Sequence, residues 1–548
     1  MSTTQHVDDT SFSIKQAKTC IAPGSVPDTG LHGKALALVF TGLLLAMFVS
    51  SISETIAATA LPTIVGDLGG VEIMQWVTTS YILASTITMP IYGKLGDLIG
   101  RKGLLIFGLI VYTAGKVICA ITPNMAFLIV GRIVSGLGGG GLIILTQAAL
   151  ADVTPTRTRG KYLGIMGAVF AMCTVLGPVL GGWFVQVAGW RMIFWFTVPI
   201  AIVAIVFLVF SYKIKYEHDE KPSFDAAGCI TMAVGVTAVV LAVSWGGGQY
   251  PWLSWQILGL FGLFAVSVVV FILVERRSKE PIIPMELFKN RNFVLCSVGG
   301  MFIYIGLMGT INYLPTYFQI VDRMNPIFGG LMVTPMSIGM FITSTASGFI
   351  AAKTGKYKWM VLVMCIGAAI GFALMTTLSE SQPIVVTLAI YAFCGLSIGF
   401  GTEILVLIVQ NEFPHAIVGT ATAANNFFRQ IGSTLGASLV GSLFTTRLTA
   451  DLSALLPKAD NVSIASITPS MVDKLPDSVQ QLIATGYSEA LVPLFIYFVP
   501  LAIAAFVLLL FIKQHPLKST IDMDKPNGPY GTGKSADAEK AAQSKKSA

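Results

Sequence analysis

Charge is what this chain has least of. Only 11% of its 548 residues are Asp, Glu, Lys or Arg, against about 25% in a soluble globular protein. Histidine is scarce: His6, His32, His218, His415 and His515 are the five, and none lies within an apolar run. The seven cysteines (Cys20, Cys119, Cys173, Cys229, Cys296, Cys365 and Cys394) are scattered. No spacing among them suggests a metal site or a disulfide framework, so they read as small hydrophobes in packed helices. A phosphate-binding Lys loop is missing too. These absences argue against an enzyme, a metal site and an ATP-driven pump, and no cofactor is expected. About 34 polar residues precede the first apolar stretch without a charged n-region or a small-residue cleavage site, so a removable signal peptide is not expected.

Long apolar runs are what it has. Hydrophobic residues make up 54% of the chain, and the mean hydropathy is +0.76. A membrane span needs roughly 20 apolar residues, and about fourteen such stretches can be counted. They begin near Ala35, Met74, Gly103, Met125, Gly160, Met192, Phe224, Trp252, Phe293, Ile327, Lys358, Pro383, Thr420 and Leu491. The net charge of +7 does not point to nucleic acid, because of where it falls. With the N-terminus inside, most of the cations occupy cytoplasmic segments, among them Arg101, Lys102, Arg157, Arg159, Lys161, Arg276, Arg277, Lys353 and Lys356. This bias places both termini in the cytoplasm of a multi-pass plasma-membrane protein, with the lipid bilayer as its first partner.

The sequence also repeats. GKLGDLIGRK (Gly93 to Lys102) returns 255 positions later in worn form as GFIAAKTGKYK (Gly348 to Lys358). Each copy begins with Gly, has a second Gly seven residues on (Gly100, Gly355) and follows it with a cation (Arg101, Lys356). Parallel repeats about an axis along the bilayer normal are a way secondary transporters are built, so the chain is expected to move a solute rather than transform one. The offset maps stretches one to six onto nine to fourteen. It predicts an all-α polytopic protein with a tail over 1–34, a six-helix bundle over 35–212, a linker with two extra helices over 213–292, a second six-helix bundle over 293–512 holding a long outer loop near 449–488, and a tail over 513–548.

Charges inside the apolar stretches are few: Glu54, Lys116, Arg132 and Glu403. Each costs about 2.5–3.5 kcal/mol unpaired at mid-depth on insertion scales, so each needs a partner, water or a function. At 1.5 Å per residue, Glu54 on the first stretch and Arg132 on the fourth both lie about 10 Å below the outer surface, and they are expected close together. Burial raises a carboxylate's pKa and a nearby Arg lowers it. Moving the Arg away and back would therefore load and unload a proton, and a static ion pair is the other reading. Glu403, about 28 Å from the outer end of its stretch, could attract a cationic substrate, relay a proton or sit at the interface in water. Lys116 is expected to snorkel to the surface.

The segments ETIAATALPTI (Glu54 to Ile64), WVTTSYILA (Trp76 to Ala84), GKLGDLIGRK, GRIVSGLGGGG (Gly131 to Gly141), GPVLGG (Gly177 to Gly182), GWRMIFWFTVP (Gly189 to Pro199) and NNFFRQIG (Asn425 to Gly432) occur in order. Together they resemble the major facilitator superfamily, specifically its fourteen-helix drug:proton antiporters of the QacA/EmrB type. The resemblance implies the major facilitator fold, a cavity lined by spans one and four, and export of small amphipathic or cationic compounds in exchange for protons by alternating access. It implies a gating motif of Gly93, Asp97, Gly100 and Arg101, with Asp97 facing the start of span thirteen and Arg429 beside it. It also implies an antiporter motif at Gly177, Pro178, Gly181 and Gly182. The chain departs from the family at Ser53, where an acidic residue is usual, at Leu98 and at Ser135. An exporter of one specific metabolite, or a scaffold or receptor that has lost transport, would use the same fold, although the intact Asp97, Arg132 and GPVLGG argue against the scaffold. Whether a periplasmic adaptor joins it is open at this point.

Overall fold

A computed structural model describes residues 33–70, 73–212, 225–247, 249–324, 326–379, 382–455 and 477–518. The expected tails therefore fall almost wholly outside the described residues, as do the basic stretch before the seventh helix and the middle of the expected outer loop. Among the described residues, twelve helical stretches are long and apolar enough to cross a bilayer. Two further long helices, Met74–Ile99 and Val418–Leu455, are counted as spans in the sequence but are not among the twelve. They carry the polar groups of the molecule's centre: Ser80, Ser85, Thr86 and Thr88 on one, and Thr420, Thr422, Asn425, Asn426 and Arg429 on the other, all buried.

The first bundle is α1 (Lys34–Leu68), α2 (Met74–Ile99), α3 (Arg101–Ala120), α4 (Met125–Val153), α5 (Thr156–Val187) and α6 (Met192–Ser211). Two extra helices follow, α7 (Ala226–Trp245) and α8 (Trp255–Glu275). The second bundle is α9 (Arg291–Ile320), α10 (Phe328–Thr354), α11 (Lys358–Met375), α12 (Ile384–Glu412), α13 (Val418–Leu455) and α14 (Val479–Leu510). Starts are set by side-chain caps: Asn124 accepts from the Phe127 amide, Asp225 from Gly228 and Asn290 from Phe293, which satisfies donors that a helix leaves free at its first turn.

Two seams join the bundles, α5 against α10 and α2 against α13; the 255-residue offset exchanges one seam for the other. Both use small residues, which let backbones approach closely. A Cβ on Gly93 would lie 2.9 Å from the Gly419 carbonyl oxygen, and one on Gly348 would collide with the Gly160 carbonyl. Within the first bundle the run Gly138–Gly141 lays α4 against α2 and α3, where Cβ atoms would strike Tyr112, Ser85 and Tyr92. Of the extra pair, α7 packs beside α2 and α13, while α8 rests on α7. Only 11% of the apolar window of α8 is buried, and it presents Leu258, Leu263, Val266, Val269 and Leu273 outward, as a lipid-facing helix does.

Candidate functional site

Three charged side chains meet inside the first bundle. Arg132, on α4, has no exposed surface. Its Nε donates to the Val77 carbonyl at 2.8 Å and one terminal nitrogen donates to the Ser53 carbonyl at 3.4 Å. The guanidinium lies over the Tyr81 ring, 4.3 Å from its centroid, a cation–π contact. Its other terminal nitrogen has no hydrogen-bond partner. Glu54 follows Ser53 on α1 and is partly exposed. The charge of Arg132 acts on it, yet no ion pair within 4.0 Å joins the two among the described residues. The structure thus brings the two side chains into each other's field without locking them together.

Lys116 is not at the surface, which corrects the sequence expectation. It is 0% exposed; its ammonium donates to the Ser53 hydroxyl and lies 5.1–5.8 Å from the centroids of Tyr81, Tyr112 and Phe194. The reason is local. Gly115 packs onto the Ser135 backbone of α4, drawing α3 in far enough that a long side chain reaches the interior. Ser53, at the position where the family usually has an acid, is thereby committed to Lys116.

A second cluster spans the bundles. The helix of α12 breaks at Phe400–Gly401 and restarts as Thr402–Glu412, which puts Glu403 in a new first turn. Glu403 is 6% exposed, so it is not an interfacial carboxylate in water. It accepts from Gln147 of α4 at 3.3 Å and lies 4.0 Å from Arg429 of α13. Arg429 donates to the Tyr304 hydroxyl and to Asn426 at 3.3 Å, and stacks over the Tyr304 ring at 4.3 Å. Asn426 in turn donates to Gln147 at 3.0 Å. The expectation that Arg429 stands beside Asp97 is corrected here. α13 begins at Val418, so Arg429 lies eleven residues in, about 16 Å along the axis.

At the Asp97 end the carboxylate of Asp97 caps α13. It accepts from the amides of Gly419 (3.0 Å) and Thr420 (2.6 Å) and from the Thr420 hydroxyl (2.8 Å), where the helix dipole favours an anion. Arg101 pairs with Asp97 at 2.7 Å and with Asp152. Asp152 is fully buried, receives the Tyr212 hydroxyl and lies 2.9 Å from His415 Nε2. Gly100 turns the chain at φ 91°, a conformation open to glycine. Sequence reasoning missed Asp152, Tyr212, Gln147, Asn426 and Tyr304. Asp152 left one signal, a lone acid just before the Thr154–Pro155 helix stop.

In the antiporter segment, a Cβ on Gly177 would strike the Thr55 side chain of α1, while Gly182 faces open space. Gly181 is buried, and Pro178 lies inside the helix without ending it. At the other end of the bundle, Trp190 and Arg191 hold Asp67 below the usual carboxylate range through hydrogen bonds.

Ionisable groups buried at the centre of a membrane-spanning helical bundle mark a functional site, and the comparisons give the class. The model of the Major Facilitator Superfamily matches residues 43–437; the chain belongs to this superfamily of transporters, which are not enzymes. It is 38% identical over 475 residues to the multidrug transporter protein MdtP of Bacillus subtilis (strain 168), covering 83% of this chain and 87% of that one. It is 34% identical over 504 residues to multidrug resistance protein 3 of the same organism, covering 89% and 97%. Among solved structures, the human organic anion transporter MFSD10 (TETRAN) shares the fold at a TM-score of 0.55 and 14% identity, covering 87% of this chain and 100% of that one.

Proposed function

We propose that the protein is a fourteen-span, proton-coupled antiporter that exports small amphipathic or cationic compounds. α2 and α13 are the two remaining spans, and the Asp97 end faces the cytoplasm with both termini. Two observations support polar helices as spans: each packs within the bundle, and their polar side chains are buried rather than offered to lipid. The Glu54–Arg132 arrangement carries the functional reading. A partly exposed carboxylate stands in the field of a guanidinium that is anchored to backbone carbonyls and has one nitrogen to spare. As the bundles rock, Arg132 advances on Glu54 and expels its proton, or withdraws and lets one bind. Each elementary charge crossing 100 mV supplies about 2.3 kcal/mol for the cycle. The relatives named for multidrug transport support the substrate class, and the Glu54 and Glu403 carboxylates give a cationic compound its counter-charges.

Ethidium efflux from cells, with and without a proton uncoupler, tests the reading. Efflux that the uncoupler stops is the expected result. Proton-linked export of a single metabolite with no dye movement would favour the narrower exporter, and no transport by correctly inserted protein would favour a scaffold.

A further inference from the structure

Glu54 has a counterpart beside an arginine that lies over a tyrosine ring, at the limit of ion-pair distance. In the first bundle an Arg lies 4.3 Å over a Tyr ring, and a carboxylate sits in its field without an ion pair. At the bundle interface another Arg lies 4.3 Å over another Tyr, and Glu403 stands 4.0 Å away. Arg429 spends its terminal nitrogens on Tyr304 and Asn426, so among the described residues Glu403 is left with one hydrogen bond, from Gln147. Tyr304 lies within the electrostatic reach of both Glu403 and Glu54.

Glu403 is also seated in the opposite bundle. A Cβ on Gly167 of α5 would collide with Glu403 Cγ, so this glycine leaves the notch that admits the side chain. The helices packed most closely against Thr402–Glu412 are α5, α9, α10, α11 and α13, and α4 reaches it through Gln147. Nearby they present Gly167, Tyr304, Ser344, Met364 and Arg429; Arg429 and Tyr304 are the ionisable ones.

We propose that Glu403 is a second proton carrier, so that each transport cycle exchanges one proton at Glu54 and one at Glu403. This rests on the antiporter reading above. The carboxyl O–H of Glu403 gives its proton to water on the Asp97 side once α4 and α5 draw Gln147 and Gly167 away, and the carboxylate takes one up when the bundles part on the Asp67 side. The break at Phe400–Gly401 fits the role, since transporter folds place coupling sites at discontinuous helices.

The test counts protons released when saturating ethidium binds the purified full-length protein in weak buffer. Wild type should release about twice as many protons per bound ethidium as either Glu403→Gln or Glu54→Gln, and the double variant none. Glu403→Asp should restore the wild-type count. Glutamine can keep the contact with Gln147, so a purely structural role leaves the count in Glu403→Gln unchanged, and a purely substrate-binding role weakens ethidium binding at an unchanged count. Either result overturns the inference while leaving the antiporter reading intact. A wild-type protein that binds ethidium and releases no proton overturns the antiporter reading itself.

Discussion

The two copies of the glycine loop occupy equivalent places and do different work. Their first glycines behave alike. Gly93 meets Gly419 across one seam and Gly348 meets Gly160 and Gly164 across the other, and Gly164 and Gly419 are themselves 255 positions apart. Their second glycines both turn at positive φ, 91° and 70°. The electrostatics are not repeated. Asp97 caps α13 with three donors, whereas its counterpart is Ala352, whose carbonyl accepts from Arg157 at 3.4 Å. Arg101 is buried among carboxylates, and Lys356 is exposed. Steric fit closes both seams, and among the described residues buried charges bond across only one of them.

Substitutions can separate these contributions. The largest effect is expected from Gly93→Val and Gly348→Val, which put side chains where backbones touch. Overpacking costs about 1–3 kcal/mol, so each should cut ethidium efflux by roughly five- to a hundredfold. If Gly348→Val is silent, the two seams are not equivalent. Asp97→Asn removes an anion from a helix N-terminus worth up to about 2 kcal/mol when partly buried. Its efflux should fall by up to about thirtyfold at full expression, and a loss below twofold would make the cap ornamental. Lys356→Gln should stay within twofold of wild type; a drop like that of Asp97→Asn would show that the worn loop still gates.

Much of this was legible in the residues. Hydropathy and the loop repeat were enough for an all-helical membrane fold, and Glu54 and Arg132 stood out as charges in apolar runs. What misled was side-chain direction. Lys116 was assigned to the surface by its depth, but depth does not say which face of α3 it occupies, and Gly115 decides that by packing. The resemblance implies Arg429 beside Asp97, but from a helix start near Thr420 Arg429 lies several turns in, and only the rise along α13 separates the two. Asp152, near a helix end, gives no sequence sign that the fold lays Arg101, Tyr212 and His415 around it. The strap at 512–518 was unreadable as well. It runs under the second bundle, with His515 bonded to Tyr357 and Glu412, and reaches the first bundle where the Arg157 amide donates to Lys518 at 2.9 Å. Besides those polar contacts it buries only two apolar side chains, Ile512 and Leu517, too few to make a hydrophobic pattern.

The central claim is that Glu54, set against Arg132, ties transport to the proton gradient. It is tested most directly in proteoliposomes by comparing ethidium transport under an imposed pH gradient with ethidium counterflow under none, in wild type and Glu54→Gln. The account predicts gradient-driven transport well below wild type in the variant, sustained only by the proton exchanged at Glu403, with counterflow largely retained. Full gradient-driven transport in Glu54→Gln would contradict it.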